Sequence, residues 1–150
     1  MKKRAHQCFS LGFLSICAGV IGVHLTVRLI LAPLFFFTGL LNDFLDFHLL
    51  KFHKHRNKIS HAFVSIVPLA LYLAAFLLIA PINPWLGFQA GVLLALGYFT
   101  HLCLDALNPS GVYLWGGRKI KGTIRYNHLL WNAFFIVLGV VLFIVSLMLP

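Results

Sequence analysis

His101 and Asp105 stand four residues apart in a helix-forming run, so they project from one face. Imidazole and carboxylate at that spacing can grip one cation, as in helical zinc motifs. Such a pair suits a divalent metal, zinc first, with manganese or iron as alternatives. The same two residues can equally form a hydrogen-bonded cap at a helix end, met by Ser110 or by loop backbone. Spacing alone leaves both readings open, although ionisable groups in or beside membrane helices are usually functional. Asp43 and Asp46, three apart, are with Asp105 the only acidic residues of the chain. Both are candidate catalytic carboxylates, as a general base or as groups that orient a histidine. Their plainer roles are capping a following helix and neutralising nearby Lys and Arg. His61 and His6 join His101 and Asp105 as candidate metal ligands because they come at the same depth. A lone imidazole at an interface more commonly just snorkels. Arg56, whose guanidinium suits an anionic group, and Asn108 are the candidate substrate-binding residues.

Those residues need elements to carry them. The chain has 150 residues, 61% hydrophobic and 10% charged, with mean hydropathy +0.94. That composition excludes an ordinary water-facing surface. Five apolar segments can be drawn, at about 8–23, 27–41, 61–80, 85–107 and 128–149. Pro33 is placed to kink the second. The expected fold is all-α: a polytopic transmembrane helical bundle of about five helices, forming one integral membrane domain over 1–150. The count falls to four if the short first two segments make one unit.

Charge orients the bundle. The formal net charge is +9, and an excess of Lys and Arg in cytoplasmic loops is its simplest cause. With a cytoplasmic N-terminus, loops 42–60 and 108–127 face the cytoplasm. Every Lys and Arg except Arg28 then lies inside, and loop 80–85 carries no charge. All three Asp gather on that side, as do all the histidines except His24. The expected location is the cell membrane, and the expected partners are membrane lipids, with anionic headgroups at the cytoplasmic face. Segment 44–57 is expected to lie in that interface as an amphipathic helix. No feature specifically signals nucleic acid. Lys2, Lys3 and Arg4 look like the start of a signal peptide, but no small-x-small site follows, so the first helix is expected to be retained. Three cysteines without CxxC spacing argue against a disulfide framework and a thiolate zinc site.

The run from Gly97 to Val112 (GYFTHLCLDALNPSGV) resembles the GYxxHLxLDxLxPxGV signature of the YdjM-type membrane-bound, metal-dependent hydrolases. Three weaker features agree in order: His6 near the start, the acidic pair after the second segment, and a basic stretch ending in Ser60-His61. The resemblance implies a helical membrane fold with metal held by His and Asp at the membrane face. By motif position it nominates His6, Asp43, Asp46, His61, His101 and Asp105. Asn42 stands where that family has proline, Phe47 where it usually has histidine, and His55-Arg56 lies one residue too far from His61. The last third, from Gly111 to Asn132, also resembles small crenarchaeal and viral membrane proteins of unknown function.

The expected function is a membrane-embedded metal-dependent hydrolase acting at headgroup level on a lipid ester or phosphoester. The alternative is a non-enzymatic membrane protein, a scaffold or a viral or plasmid factor, with a structural or vestigial His/Asp site. Transport fits less well, because the helix centres lack polar groups near the midplane.

Overall fold

Glycine and proline punctuate the helices. The computed structural model describes residues 3–45, 61–114, 118–125 and 127–149. Helix α1, Lys3–Val20, ends at a turn where Gly22 has φ +78°, a backbone region that glycine enters without steric cost. Helix α2, Leu25–Thr38, follows His24, whose Nδ1 accepts a hydrogen bond from the Thr26 amide. The first two segments are therefore separate helices. Pro33 sits inside α2. A single turn, α3 (Leu41–Phe44), carries Asp43.

Helix α4, Val67–Ile79, has Pro68 in its first turn, where the missing amide hydrogen has no intrahelical partner to lose. This corrects the expectation that His61 opens the third helix: residues 61–66 precede it as an irregular segment. Helix α5, Pro84–Ala106, starts with Asn83 Oδ1 accepting from the Leu86 amide at 3.0 Å, an ordinary N-cap. Strands β1 (Val112–Tyr113) and β2 (Lys119–Ile120) then pair antiparallel, Val112 opposite Ile120. Helix α6, Leu129–Ser146, completes the chain. His6 lies within α1 and does not precede it, because α1 starts earlier than its apolar run suggests.

Helix α1 packs on α6, α2 and α5, and α4 packs on α5. Small residues permit the closest of these contacts, as is common for helices packed in lipid. A Cβ on Gly12 would collide with the Gly139 backbone, and one on Gly139 with the Cys8 backbone. Leu14, Ala18, Phe35 and Leu93 form a buried apolar centre. At one end, Arg28 is buried, donating from Nη1 to the Ser146 carbonyl at 2.8 Å and from Nη2 to the Leu149 carbonyl at 2.7 Å. The one Lys or Arg that stood apart in the sequence thus caps the C-terminus of α6, where orphan carbonyls and the helix dipole favour a cation.

The outer faces of α2, α4 and α6 are largely apolar. Ile30 and Phe37 of α2, Leu77 and Leu78 of α4, and Leu130 and Val137 of α6 are all exposed. Helices α5 and α6 are long and apolar enough to cross a membrane, while α2 and α4 are apolar but shorter.

Candidate metal centre

Three helices bring their ends together opposite the Arg28 cap. α1 supplies His6 from its N-terminus, α5 supplies His101 and Asp105 from its C-terminus, and α3, just beyond α2, supplies Asp43. Their meeting depends on Gly39, at the end of α2, where a Cβ would lie 2.6 Å from the His6 carbonyl oxygen. Only a glycine lets that backbone come so close. The Gly39 carbonyl in turn lies 2.8 Å from His101 Nδ1. A carbonyl can only accept, so Nδ1 carries the proton and the Nε2 lone pair faces the cluster. That is how a metal-ligating histidine is usually held.

His61 arrives by a different route. Its carbonyl accepts from the Tyr113 amide at 2.9 Å, and the Phe63 amide donates to the Tyr113 carbonyl at 2.9 Å. Segment 61–63 thus rides along β1. Tyr98, fully buried on α5, donates to the Ala62 carbonyl at 2.7 Å, and its hydroxyl lies 2.9 Å from Ser65 Oγ. The hairpin is fixed in its turn by Gly111, at φ +62°, where a Cβ would also strike the Ile120 carbonyl.

The result is a ring of donors around one carboxylate. Asp105 Oδ1 is 3.4 Å from His6 Nε2, and Oδ2 is 3.6 Å from His101 Nε2 and 3.8 Å from His61 Nε2. Asp43 Oδ1 is 3.8 Å from His101 Nε2 and 4.0 Å from His61 Nε2. The His6 and His101 rings lie 4.5 Å apart. His6, His61, His101 and Asp105 are at most 3% exposed, whereas the Asp43 side chain is 19% exposed. Asp43 is the open edge of the ring.

These residues fit a cation. The nitrogen–oxygen separations exceed the 2.9–3.0 Å or so of an ordinary N–H···O bond. Two ligands at about 2.0–2.1 Å from a tetrahedral ion stand roughly 3.4 Å from each other, close to what is seen. His101 Nε2 is buried with no hydrogen-bond partner among the described residues. Two triads, His6/His101/Asp105 and Asp43/His61/His101, each place their ligand atoms within 4.8 Å of one another. A carboxylate buried among apolar helices needs a positive partner, and the C-termini of α2 and α5 present their negative dipole ends here. Nothing in the donor set selects zinc over manganese or iron.

Of the residues nominated from sequence, the structure gathers His6, Asp43, His61, His101 and Asp105. Asp46 and Arg56 lie outside the described residues, as does most of the proposed interfacial helix 44–57. Asn108 is 1% exposed, and its Nδ2 donates to Asp105 Oδ1 at 3.3 Å, so it stands behind the carboxylate. The spacing of three from Asp105 carried that signal. Gly39 and Tyr98 leave no signal of these roles in the sequence: a lone glycine after a helix has many uses, and Tyr98 acts through backbone 36 residues away. In comparisons with known proteins, the chain matches no family model, no curated protein and no solved structure.

Proposed function

We propose that this chain is a multi-pass membrane protein whose His/Asp ring holds a divalent cation and hydrolyses an ester or phosphoester at the cytoplasmic headgroup level. Apolar outer faces on α2, α4 and α6 support the membrane placement, with α5 and α6 long enough to span. The concentration of Lys and Arg in the sequence segments that the topology assigns to the ring's side supports a cytoplasmic site. The likeness of residues 97–112 to the YdjM-type signature agrees with it. The observation that carries the chemistry is the ring itself: three Nε2 atoms within 3.4–3.8 Å of the two oxygens of one buried aspartate.

His6, His61, His101 and Asp105 would hold the ion, with Asp43 on its open side. A divalent cation in such a place polarises a carbonyl or phosphoryl oxygen and lowers the pKa of a water molecule. The protein's own groups divide the remaining tasks. Asn108 restrains the Asp105 carboxylate, and the Gly39 carbonyl holds His101 in the tautomer that presents Nε2. Asp43, partly exposed and acceptor-only when ionised, is the group placed to take a proton from an incoming nucleophile. Packed helices on the other sides keep bulk water out, which strengthens each of these interactions.

Purified protein in phosphatidylcholine vesicles, offered a fluorogenic lipid ester and a phosphatidic acid, tests this. Turnover that a chelator abolishes, that zinc or manganese restores, and that Asp105→Asn removes is expected. No turnover with any metal would overturn it and leave the ring as a structural cation site.

A further inference from the structure

Beside the ring, α2 and α5, with residues of α1, α3 and α4, line two adjoining cavities. The first, about 400 Å³, has Lys3 and Asp43 on its wall together with Leu34, Phe37 and Leu94. The second, about 110 Å³, shares Leu34, Thr38 and Leu94 with the first and continues to Leu31, Ala75 and Ile79. The first falls within the size range of small-molecule sites. From Leu31 to Thr38 the walls run about 10 Å along α2.

The two cavities differ in polarity. Only the first has charged side chains on its wall, and both belong to the end of the molecule where the ring lies. The single polar side chain on the wall of the second is Thr38, whose hydroxyl donates to the Phe35 carbonyl at 2.7 Å and so offers little to a ligand. The floor is buried (Phe35, Ala75 and Leu93), while Leu34, Phe37 and Phe44 on the rim are exposed. This is a groove open sideways, charged at one end and hydrocarbon-like at the other.

We infer that the groove holds one hydrocarbon chain of an anionic lipid, which enters sideways from the bilayer and sets its head between Lys3 and Asp43 at the metal ring. The identity of the polar end as a scissile group rests on the hydrolase proposal above. The chain site itself does not. An extended peptide is a poor occupant, because its backbone amides and carbonyls would go unmet against these walls. A methylene chain has no such groups. Lys3 attracts an anionic head, and an ion in the ring would offset the Asp43 carboxylate on the same wall.

The probe is phosphatidic acid with a diazirine in mid-chain, present as a trace in phosphatidylcholine vesicles that contain the full chain. Phosphatidylcholine with the same diazirine is the neutral arm. After irradiation, peptides bearing Leu31, Leu34 and Leu94 should be labelled well above those bearing Val137 and Val141, the exposed face of α6 that meets only boundary lipid. Leu94→Trp, which fills the shared wall, should bring groove labelling down to the α6 level, and Leu34→Trp on the rim is an independent blocking variant. Lys3→Gln should lower labelling by phosphatidic acid about fivefold, the equivalent of ~1 kcal/mol for one Lys at an anionic surface, and leave the neutral probe unchanged. Equal labelling of groove and α6 would overturn the inference, as would labelling indifferent to both tryptophan variants or a groove closed to both probes. Metal content of the same samples separates the two proposals. Groove labelling without bound metal sinks the hydrolase and keeps the chain site, and metal without groove labelling does the reverse.

Discussion

Replacing Asn108 with leucine removes one donor from the ring's only fully buried carboxylate while keeping the same branched heavy-atom skeleton. Asn108 Nδ2 reaches Asp105 Oδ1 at 3.3 Å and the Leu104 carbonyl at 3.5 Å. A hydrogen bond to a charged group contributes about 1.5–3 kcal/mol. At 3.3 Å this one is longer than the usual charge-assisted distance of about 2.7–2.9 Å, which places it at the low end, near 1.5 kcal/mol. Partners that orient metal ligands typically account for about 10–100-fold in affinity, and 1.5 kcal/mol corresponds to roughly tenfold. Asn108→Leu should therefore weaken divalent-metal affinity about tenfold, read by competition with a fluorescent chelator on purified protein. Circular dichroism should show unchanged helix, because the backbone bonds at Asn108, from its amide to Asp105 and to its carbonyl from Gly111 and Gly122, do not involve the side chain. Affinity within twofold of wild type in a folded variant would refute the idea that Asn108 tunes a metal-holding Asp105.

Tyr98→Phe deletes the hydroxyl that ties Ala62 and Ser65 to α5; it should cost about 1–2 kcal/mol of stability and weaken metal binding with it, whereas lost stability at unchanged affinity would show that His61 is not positioned this way. Arg28→Met should lower stability by about 3 kcal/mol, since two charge-assisted bonds to the end of α6 disappear; an unchanged melting temperature would rule out the cap. In a background lacking Cys8, Cys17 and Cys103, cysteines placed at the exposed positions Ile82 and Lys121 should react with an impermeant maleimide from opposite sides of a sealed vesicle, and reaction from the same side would refute the topology.

Much of the site could be read from the sequence because reading the apolar runs as membrane-spanning assigns a depth to every residue. His101 and Asp105 needed only helical spacing, and His6 and Asp43 followed from lying at the ends of apolar runs that finish on the same side. The sequence pattern puts His61 at the correct end of the bundle but on helix α4, whereas it lies in the irregular segment before it. The apolar run 61–80 hides the boundary, and Pro68, which prefers a helix's first turn, was the available signal. The short strands after Gly111 went unseen because two residues of pairing leave no periodicity to detect. Arg28 looked like an exception to the charge pattern, and its role exists only once α6 has folded back to present its C-terminus. The Gly39 carbonyl that sets the His101 tautomer likewise has no local trace, since it joins residues 62 positions apart.

Locating the metal tests the account most directly. Crystals of the protein grown with zinc, measured on both sides of the zinc absorption edge, should give an anomalous peak within bonding distance of His101 Nε2 and an Asp105 oxygen, and Asp105→Asn should erase it. A clean map with no peak among His6, His61, His101 and Asp105, at saturating zinc and with manganese in its place, would contradict the claim.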